Sequence, residues 1–451
     1  MPLSPPQSRL WTVNYLGGGS PDYVSALLFA FEGPLDTEAL RTALTDLTTR
    51  HEILRTVLPY GESGPEQRIL PADTAPLDFR TTVLDEEADL DAELDAAVSA
   101  ELATPFDLQR DLPLRARLYL HDEKRHTLLL AIHHVAFDGH SAAPLHRDLA
   151  VAYTARAAGQ APAWPAPAPQ YADHTLALHH PGADRDRPDS PAARYWTREL
   201  TGLPTPLPLP RTNHPSHPAP PGAAATIPLT IDPRLHTALE AAARQCSATT
   251  YMAVHAAFAA ALTAAGAGHD IPVGVPLSGR DTPGLDNLVG CLVNTVVLRT
   301  RTSGDPTPRA LITQVRDRLL AAHEHRSLPF DHLVGLLNPP RSAAHHPLFQ
   351  VALTYLHHPT GADAPHWPEP LAVRLAPVHR PHTELDLLLE LHEQRTPDNE
   401  PAGITGQLTY AAGRFTHETA AFLHARLTTA LTAVPHLDAP FPLPQDVRPA
   451  E

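Results

Sequence analysis

Cysteine is scarce in this chain, which has only Cys246 and Cys291 among its 451 residues. Two cysteines build neither a disulfide framework nor a cysteine zinc site, and such scarcity is typical of proteins in a reducing compartment. No run approaches the roughly 18 uncharged apolar residues that a membrane span needs, and the N-terminus has no basic segment before an apolar one. We therefore expect a cytoplasmic protein that has no membrane partner.

Dense positive charge is also lacking. The formal net charge is −16, and no block of lysine and arginine interrupts it. A protein that binds nucleic acid independently of sequence needs a basic stripe to neutralise phosphates, so we expect no nucleic acid as partner. With 451 residues, 43% of them hydrophobic, the chain is long enough for two globular lobes of roughly 200 residues each.

Proline and histidine, in contrast, are abundant, with 51 and 29 residues. Proline concentrates between about residues 157 and 224, where its fixed φ and missing amide donor favour an extended connector. We predict an N-terminal lobe over 1–175, a proline-rich connector over 176–224 and a C-terminal lobe over 225–451. Strand and helix patterns are mixed in both lobes, which indicates an α+β fold.

Hydrophobic periodicity predicts individual elements. Residues 24–32 are expected to form a strand, followed by a helix with Asp36 as its cap. The apolar runs 114–120 and 127–134 predict a hairpin, and a helix is expected over 142–156. In the second lobe, a strand with its exit loop is predicted over 271–280, further strands over 288–300 and 347–356, and helices over about 307–323 and 416–434.

The second strand of the hairpin runs into the sequence AIHHVAFDG at 131–139. A histidine at a buried strand end presents one ring nitrogen to a substrate while a local hydrogen bond fixes the other. Asp138 before Gly139 indicates a tight turn with an inward carboxylate, which needs a cationic partner because an unpaired buried charge is costly. The double histidine alone is uninformative, because composition gives roughly two such pairs by chance.

This sequence resembles the HHxxxDG active-site motif of the condensation domains of nonribosomal peptide synthetases. Seven further segments resemble other motifs of that family, in the family's order and over nearly the whole chain. They are SPPQSRLW (4–11), RHEILRT (50–56), YADHTLAL (171–178), YWTRELTGLP (195–204), VGCLVNTVVLR (289–299), HRSLPFDHLV (325–334) and RSAAHHPLFQ (341–350). On these segments the chain is identified as a member of the family.

The resemblance implies two chloramphenicol-acetyltransferase-like lobes in a V-shaped pseudo-dimer, with the active-site tunnel between them. It implies an acyltransferase that joins an acyl or peptidyl thioester donor to an aminoacyl acceptor through a peptide bond. Both substrates are held on phosphopantetheine arms of peptidyl carrier proteins, which are the expected partners of a monomeric domain. No cofactor is expected to bind this chain, and no metal, because His133, His134, Asp138 and His140 fit no standard metal spacing.

The resemblance also assigns the reacting centre. His134 is the catalytic histidine, acting either as a base or by orienting the amine and stabilising the tetrahedral intermediate. Gly139 lines the channel, with its backbone N–H facing the donor carbonyl. His133 is structural and packs behind the site, and Arg50 and Arg55 of RHEILRT are ties between a helix and the core.

Other motif residues are expected to support this centre. Asp138 points away from the reacting atoms and pairs with an arginine, which the resemblance identifies as Arg280, with Arg299 as the fallback. Asn294 and Ser141 are candidates for the substrate channel. For Asn294, a buried hydrogen-bonding role is an equally open interpretation.

Alternative functions stay open. A free-standing relative would make an ester or amide with a soluble acceptor, and a catalytically silent recruitment domain would dock a partner enzyme. Silent relatives typically have a corrupted motif, whereas this one is intact, and an epimerisation relative would differ around Gly139 and Asn294. The segment at 288–300 most resembles the branch that joins an L-configured donor to an L-configured acceptor. Departures from the family pattern at His174 and at Arg326–Ser327 leave carrier docking and acceptor choice open.

Overall fold

A computed structural model describes residues 1–85, 89–179, 189–204, 206–211, 222–340, 342, 345–357 and 365–442. Parts of the predicted connector, parts of the segment at 341–350 and the end of the chain from 443 lie outside the described residues. Within these limits, no helix combines the length and apolar character needed to cross a bilayer.

Helices and strands are interspersed along the chain. The helices are α1 (Pro5–Leu16), α2 (Thr37–Arg50), α3 (Leu90–Leu102), α4 (Ala142–Ala157), α5 (Tyr171–Leu178), α6 (Pro191–Leu200), α7 (Pro233–Gln245), α8 (Thr250–Ala264), α9 (Pro308–Glu324), α10 (Phe330–Leu337) and α11 (His417–Ala433). The strands are β1 (Val24–Glu32), β2 (Thr56–Val57), β3 (Tyr60–Gly61), β4 (Gly64–Pro65), β5 (Arg68–Ile69), β6 (Asp78–Val83), β7 (Leu114–Leu120), β8 (Arg125–His133), β9 (Ala224–Ile231), β10 (Asp270–Leu277), β11 (Asn294–Arg301), β12 (Val351–His357), β13 (Ala372–Ala376), β14 (Leu387–Arg395) and β15 (Pro401–Ala411).

The chain forms two compact units, each assembled from separate stretches. The first comprises Met1–Ala183, Ser278–Val293 and Gly361–Pro381, and the second Asp184–Leu277, Asn294–Thr360 and His382–Glu451. This differs from the predicted contiguous lobes at 1–175 and 225–451, with a connector at 176–224. Two stretches from the second half of the chain, 278–293 and 361–381, belong to the first unit. The predicted boundaries were placed from composition along the chain, and composition does not show which distant stretches pack together.

The first unit is built on a five-stranded sheet in the order β13–β1–β8–β7–β6. Strand β1 pairs antiparallel with both β8 and β13, and Val24 at its start lies opposite His133 at the end of β8. The predicted strand at 24–32 and the predicted β7–β8 hairpin are confirmed. The sheet therefore ends its most buried strand at the first histidine of the motif.

Helices α2 and α4 contribute apolar faces to the core of the first unit. The predicted cap Asp36 accepts hydrogen bonds from the backbone N–H groups of Glu38 and Ala39 and so starts α2. Helix α4 follows the motif directly and buries Leu145 and Leu149 in the same hydrophobic cluster. Strand, motif and helix are thus fixed to one core.

The second unit is built on a six-stranded sheet in the order β11–β10–β12–β14–β15–β9. Strands β10, β12 and β14 are parallel to one another, and the outer pairs are antiparallel. Helix α8 is buried on nearly every side, as expected for a helix that is apolar all round. The strands predicted at 271–280 and 347–356 and the helices predicted at 307–323 and 416–434 are present, with ends shifted by a few residues.

The prediction of one long strand over 288–300 is correct only for its second half. Strand β11 starts at Asn294, whereas 288–293 has no strand conformation and belongs to the first unit. Leu288, Val289, Cys291 and Leu292 are buried in the first unit's core. A continuous apolar run predicts burial but not strand conformation, and here the run divides between two cores.

Gly290, within this segment, lies in close contact with the ring of Tyr171 in α5. A Cβ atom built there would lie 2.1 Å from Cδ2 of Tyr171, and its φ is +154°. We expect Gly290→Ala to destabilise the protein by roughly 2–4 kcal/mol, because the ring must move and the backbone is strained. Urea unfolding of the purified variant measures this loss.

The matched control is Gly335→Ala in α10, where an added Cβ meets nothing within 4 Å. Alanine there is expected to leave stability unchanged or to raise it by up to about 1 kcal/mol, since it is the better helix former. Equal stability of the two variants would show that the close approach of Gly290 to Tyr171 does not matter.

Candidate active site

The two motif histidines lie on either side of the end of β8. His133 is the last residue of the strand, and His134 opens a short 3₁₀ turn, His134–Ala136. Phe137 is extended, and Asp138 then caps a second 3₁₀ turn, Gly139–Ser141, that leads into α4. Two turns thus follow each other within eight residues, and adjacent side chains of the motif face different surroundings.

His134 is half-buried, and a hydrogen bond fixes its ring. Its Nδ1 lies 2.8 Å from the carbonyl oxygen of Phe137, and because a carbonyl only accepts, Nδ1 carries the proton and Nε2 the lone pair. Burial, followed by the positive charge of Arg380, lowers the pKa of His134 to about 4. At neutral pH the ring is an uncharged imidazole with an acceptor nitrogen.

His133 has the opposite tautomer. Its Nδ1 accepts a hydrogen bond of 3.1 Å from the backbone N–H of Val135, so its proton is on Nε2, which has no hydrogen-bond partner among the described residues. The ring is fully buried and makes a T-shaped contact with Phe106, and burial lowers its pKa to about 3. These contacts fit the packing role expected for His133.

Asp138 forms a buried ion pair with Arg280. Both guanidinium Nη atoms lie 2.8 Å from the carboxylate, one on each oxygen, and the two side chains are only 4% and 1% exposed. The backbone N–H of Leu292 donates to the same carboxylate at 3.0 Å. The fallback Arg299 pairs instead with Asp270.

Ser141 joins this network instead of lining a channel. It is fully buried, and its hydroxyl lies 2.9 Å from Asp138 Oδ1 and 3.0 Å from the carbonyl of Gly290. It also accepts from the Gly290 N–H at 3.1 Å. With its hydrogen-bonding capacity used and no exposed surface, Ser141 differs from the predicted substrate-channel residue, because its short side chain turns inward with Asp138.

The side chain of Asn294 is occupied by backbone groups of the second unit. Its Nδ2 donates to the carbonyls of Arg326 and Leu328, and its Oδ1 accepts from the N–H of Phe330. Both the Nδ2 and the Oδ1 of this amide are bonded to the backbone of the loop before α10. This fits the hydrogen-bonding interpretation better than the substrate-channel one.

Gly139 is half-buried and begins the 3₁₀ turn after Asp138. The first N–H groups of a helical turn have no acceptor within the turn, which is the requirement for a donor to a substrate oxygen. In the described part of the chain, no three histidine, cysteine, aspartate or glutamate side chains gather as a metal site.

The arginines of RHEILRT make the expected structural contacts. Arg50 bonds the buried Asp148 at 2.7 Å and lies over the ring of Trp164. Arg55 donates to the carbonyl of Leu70 and to Glu52.

Sequence reasoning missed the residues that support the motif from α1 and α5. The Tyr171 hydroxyl lies 2.7 Å from Ser4 Oγ and donates to the carbonyl of Cys291 at 2.6 Å. Gln7 donates to the carbonyl of Val135 within the motif turn. The available signal was the resemblance of SPPQSRLW and YADHTLAL to family motifs, which gave their order but no roles.

A family model described as the condensation domain matches residues 1–439. The chain belongs to the condensation-domain family. The resemblance stated on the motifs is therefore confirmed.

A dimodular nonribosomal peptide synthase of Bacillus subtilis (strain 168) is 39% identical over 96% of this chain and 18% of its own length. The isonitrile lipopeptide synthase of Mycobacterium tuberculosis (strain ATCC 25618 / H37Rv) is also 39% identical, over 96% of this chain and 17% of its own length. This condensation domain thus spans less than a fifth of these relatives.

Solved structures share the fold. The X-domain from teicoplanin biosynthesis is 32% identical, with a TM-score of 0.83 over 99% of this chain and 97% of its own. The first condensation domain of the calcium-dependent antibiotic synthetase has a TM-score of 0.77 at 21% identity, over 98% of this chain and 97% of its own. The predicted α+β fold of the chloramphenicol-acetyltransferase type is confirmed.

Replacing Asp138 by asparagine tests the ion pair. Asp138→Asn leaves the buried guanidinium of Arg280 without a counter-charge, and we expect a loss of about 3–5 kcal/mol in unfolding free energy. Urea unfolding measures it, and Arg280→Gln on top of Asp138→Asn should cost much less than the sum of the two single changes.

The control is Glu38→Gln, which breaks the exposed Arg41–Glu38 pair, with side chains 52% and 75% exposed. This change should leave the unfolding midpoint nearly unchanged, because water screens the pair. A wild-type-like midpoint for Asp138→Asn would contradict the structural role of the carboxylate.

Proposed function

We propose that this condensation domain forms an amide between an acyl or peptidyl thioester and the amine of an aminoacyl thioester. Each substrate is carried on the phosphopantetheine arm of a peptidyl carrier protein. The observation that carries the proposal is the 2.8 Å hydrogen bond between His134 Nδ1 and the carbonyl of Phe137. It makes Nε2 of a neutral, half-buried imidazole the acceptor for an amine N–H.

In the proposed reaction the amine nitrogen attacks the thioester carbon, and the carbonyl electrons move onto oxygen. The nitrogen of the tetrahedral intermediate is positively charged, and one of its protons passes through His134 Nε2 to the departing sulfur as the C–S bond breaks. The products are an amide and a thiol. We assign the N–H of Gly139 to the developing oxyanion, since donors placed before the reaction stabilise charge that forms in it.

A pKa of about 4 makes His134 a weak base toward a free ammonium group. An α-amine has a pKa near 7.7–8.0, so that proton transfer would be uphill by about 5 kcal/mol, whereas an appreciable fraction of the amine is already neutral at pH 7. Orientation of two reactants supplies as much rate as a base or more. We therefore infer that His134 orients the neutral amine and relays its proton only after attack.

This role predicts the pH dependence of the reaction. Because His134 stays neutral down to about pH 4, the acid limb of kcat/KM should follow the acceptor amine, falling as pH drops below the pKa of that amine. Two acceptors with different amine pKa values should give limbs displaced by the same difference. A limb near 6.5 that is identical for both acceptors would instead indicate titration of an ordinary imidazole.

A second candidate is a recruitment domain without chemistry. It is favoured by one observation, the 32% identity to the X-domain from teicoplanin biosynthesis, a domain also solved as a complex with OxyB. The intact His134, Asp138 and Gly139 favour chemistry. A third candidate, transfer to a soluble amine or alcohol, uses the same centre and differs only in the acceptor.

The direct test is a mass-spectrometric condensation assay with loaded donor and acceptor carrier proteins. We expect the wild-type protein to extend the acceptor-bound chain, and His134→Ala to lower the rate by about 10²-fold or more while remaining folded. The control is His436→Ala, at an exposed histidine after α11, which should keep wild-type activity.

Each outcome of this assay separates the candidates. Transfer only to a free amine or alcohol would replace the carrier-bound acceptor by a soluble one. Equal activity of wild type and His134→Ala would overturn the assigned centre. No transfer to any acceptor would favour the recruitment domain.

A further inference from the structure

The turn that contains His134 is held by Val135, whose two backbone polar groups are both bonded to side chains. Its N–H donates to His133 Nδ1 at 3.1 Å, and its carbonyl accepts from Gln7 Nε2 at 3.3 Å. Val135 itself is only 2% exposed. The peptide groups on both sides of Val135 are therefore fixed, the first by the end of the strand and the second by α1.

Gln7 is built into this position. It is fully buried, its Oε1 accepts from the N–H of Ser4, and its own backbone N–H donates to the Ser4 hydroxyl, so it is part of the cap of α1. Its Nε2 is also shared with Gln67 Oε1 at 3.3 Å. Because its backbone and its amide group are both hydrogen-bonded, the Gln7 side chain is held in one rotamer. Its bond to the Val135 carbonyl therefore constrains the turn.

We propose that Gln7 is a positioning residue for His134, acting through the carbonyl of Val135. The hydrogen bond fixes the 3₁₀ turn His134–Ala136, and the same turn brings the Phe137 carbonyl to His134 Nδ1. Without it the Val135 carbonyl is buried and unsatisfied, and the turn relaxes to find another donor. A displacement of about 1 Å at a reacting group costs on the order of 10²-fold in rate.

This inference rests on the proposed function for its kinetic consequence, but its structural consequence is independent of activity. The variant is Gln7→Met, which keeps the length of the side chain and removes its hydrogen bonds. The matched control is Gln350→Met in the second unit. Gln350 is also 1% exposed, and its amide likewise joins two backbone groups, the His346 carbonyl and the Leu207 N–H.

Both variants are expected to lose stability, so stability does not discriminate between a positioning and a structural role. Two other measurements do. In the condensation assay, Gln7→Met should lower kcat by about tenfold or more with KM nearly unchanged, whereas folded Gln350→Met should keep the wild-type kcat. In hydrogen exchange followed by mass spectrometry, peptides over 131–140 should exchange about tenfold faster in Gln7→Met only.

These outcomes test the positioning role of Gln7 separately from the proposed condensation reaction. Unchanged exchange over 131–140 in Gln7→Met would overturn it, whether or not the wild type condenses anything. Faster exchange with an unchanged kcat would also overturn it, because the turn would then be loosened without effect on His134. If the wild type is inactive with every carrier pair, faster exchange confined to Gln7→Met supports the positioning of His134 while the proposed reaction fails.

Discussion

The buried ion pair between Asp138 and Arg280 is the interaction on which the candidate site depends. Two charges removed from water are tolerated only when geometry and extra hydrogen bonds compensate, and here the carboxylate also accepts from Ser141 and Leu292. The guanidinium in turn donates to the carbonyl of Leu288. One pair of charges thus fixes the turn before α4 and the segment 288–292 against each other.

The two adjacent histidines show how backbone contacts decide side-chain chemistry. Both rings are neutral at pH 7 because burial lowers their pKa values, to about 3 for His133 and about 4 for His134. Their protons nevertheless sit on different nitrogens, since His133 Nδ1 faces an N–H and His134 Nδ1 faces a carbonyl. At the end of the strand, Nε2 is therefore a hydrogen-bond donor in His133 and an acceptor in His134, and the backbone group that faces Nδ1 decides which.

Much of the first unit was predictable from sequence, and the reasons are local. The cap at Asp36, the β7–β8 hairpin and the helix after the motif follow from patterns within a few residues. The same holds for the inward carboxylate at Asp138. The crossing of 288–293 could not be found in this way, because its apolar run reads equally well as strand. The inward turn of Ser141 depends on Gly290, which lies 149 residues away in the chain, and no local pattern reports a contact at that separation.

The discontinuous first unit has a consequence for how the chain folds during synthesis. Asp138 and Arg280 are separated by 142 residues, and at 5–20 residues per second the ribosome needs roughly 7–30 s to make the interval between them. Strand β13, which pairs with β1, is synthesised later still. Until then β1 is an exposed sheet edge, and such edges can pair with strands of other chains. A fragment that ends before residue 280 therefore has an unpaired edge at β1 and lacks the arginine that neutralises Asp138 in the native structure.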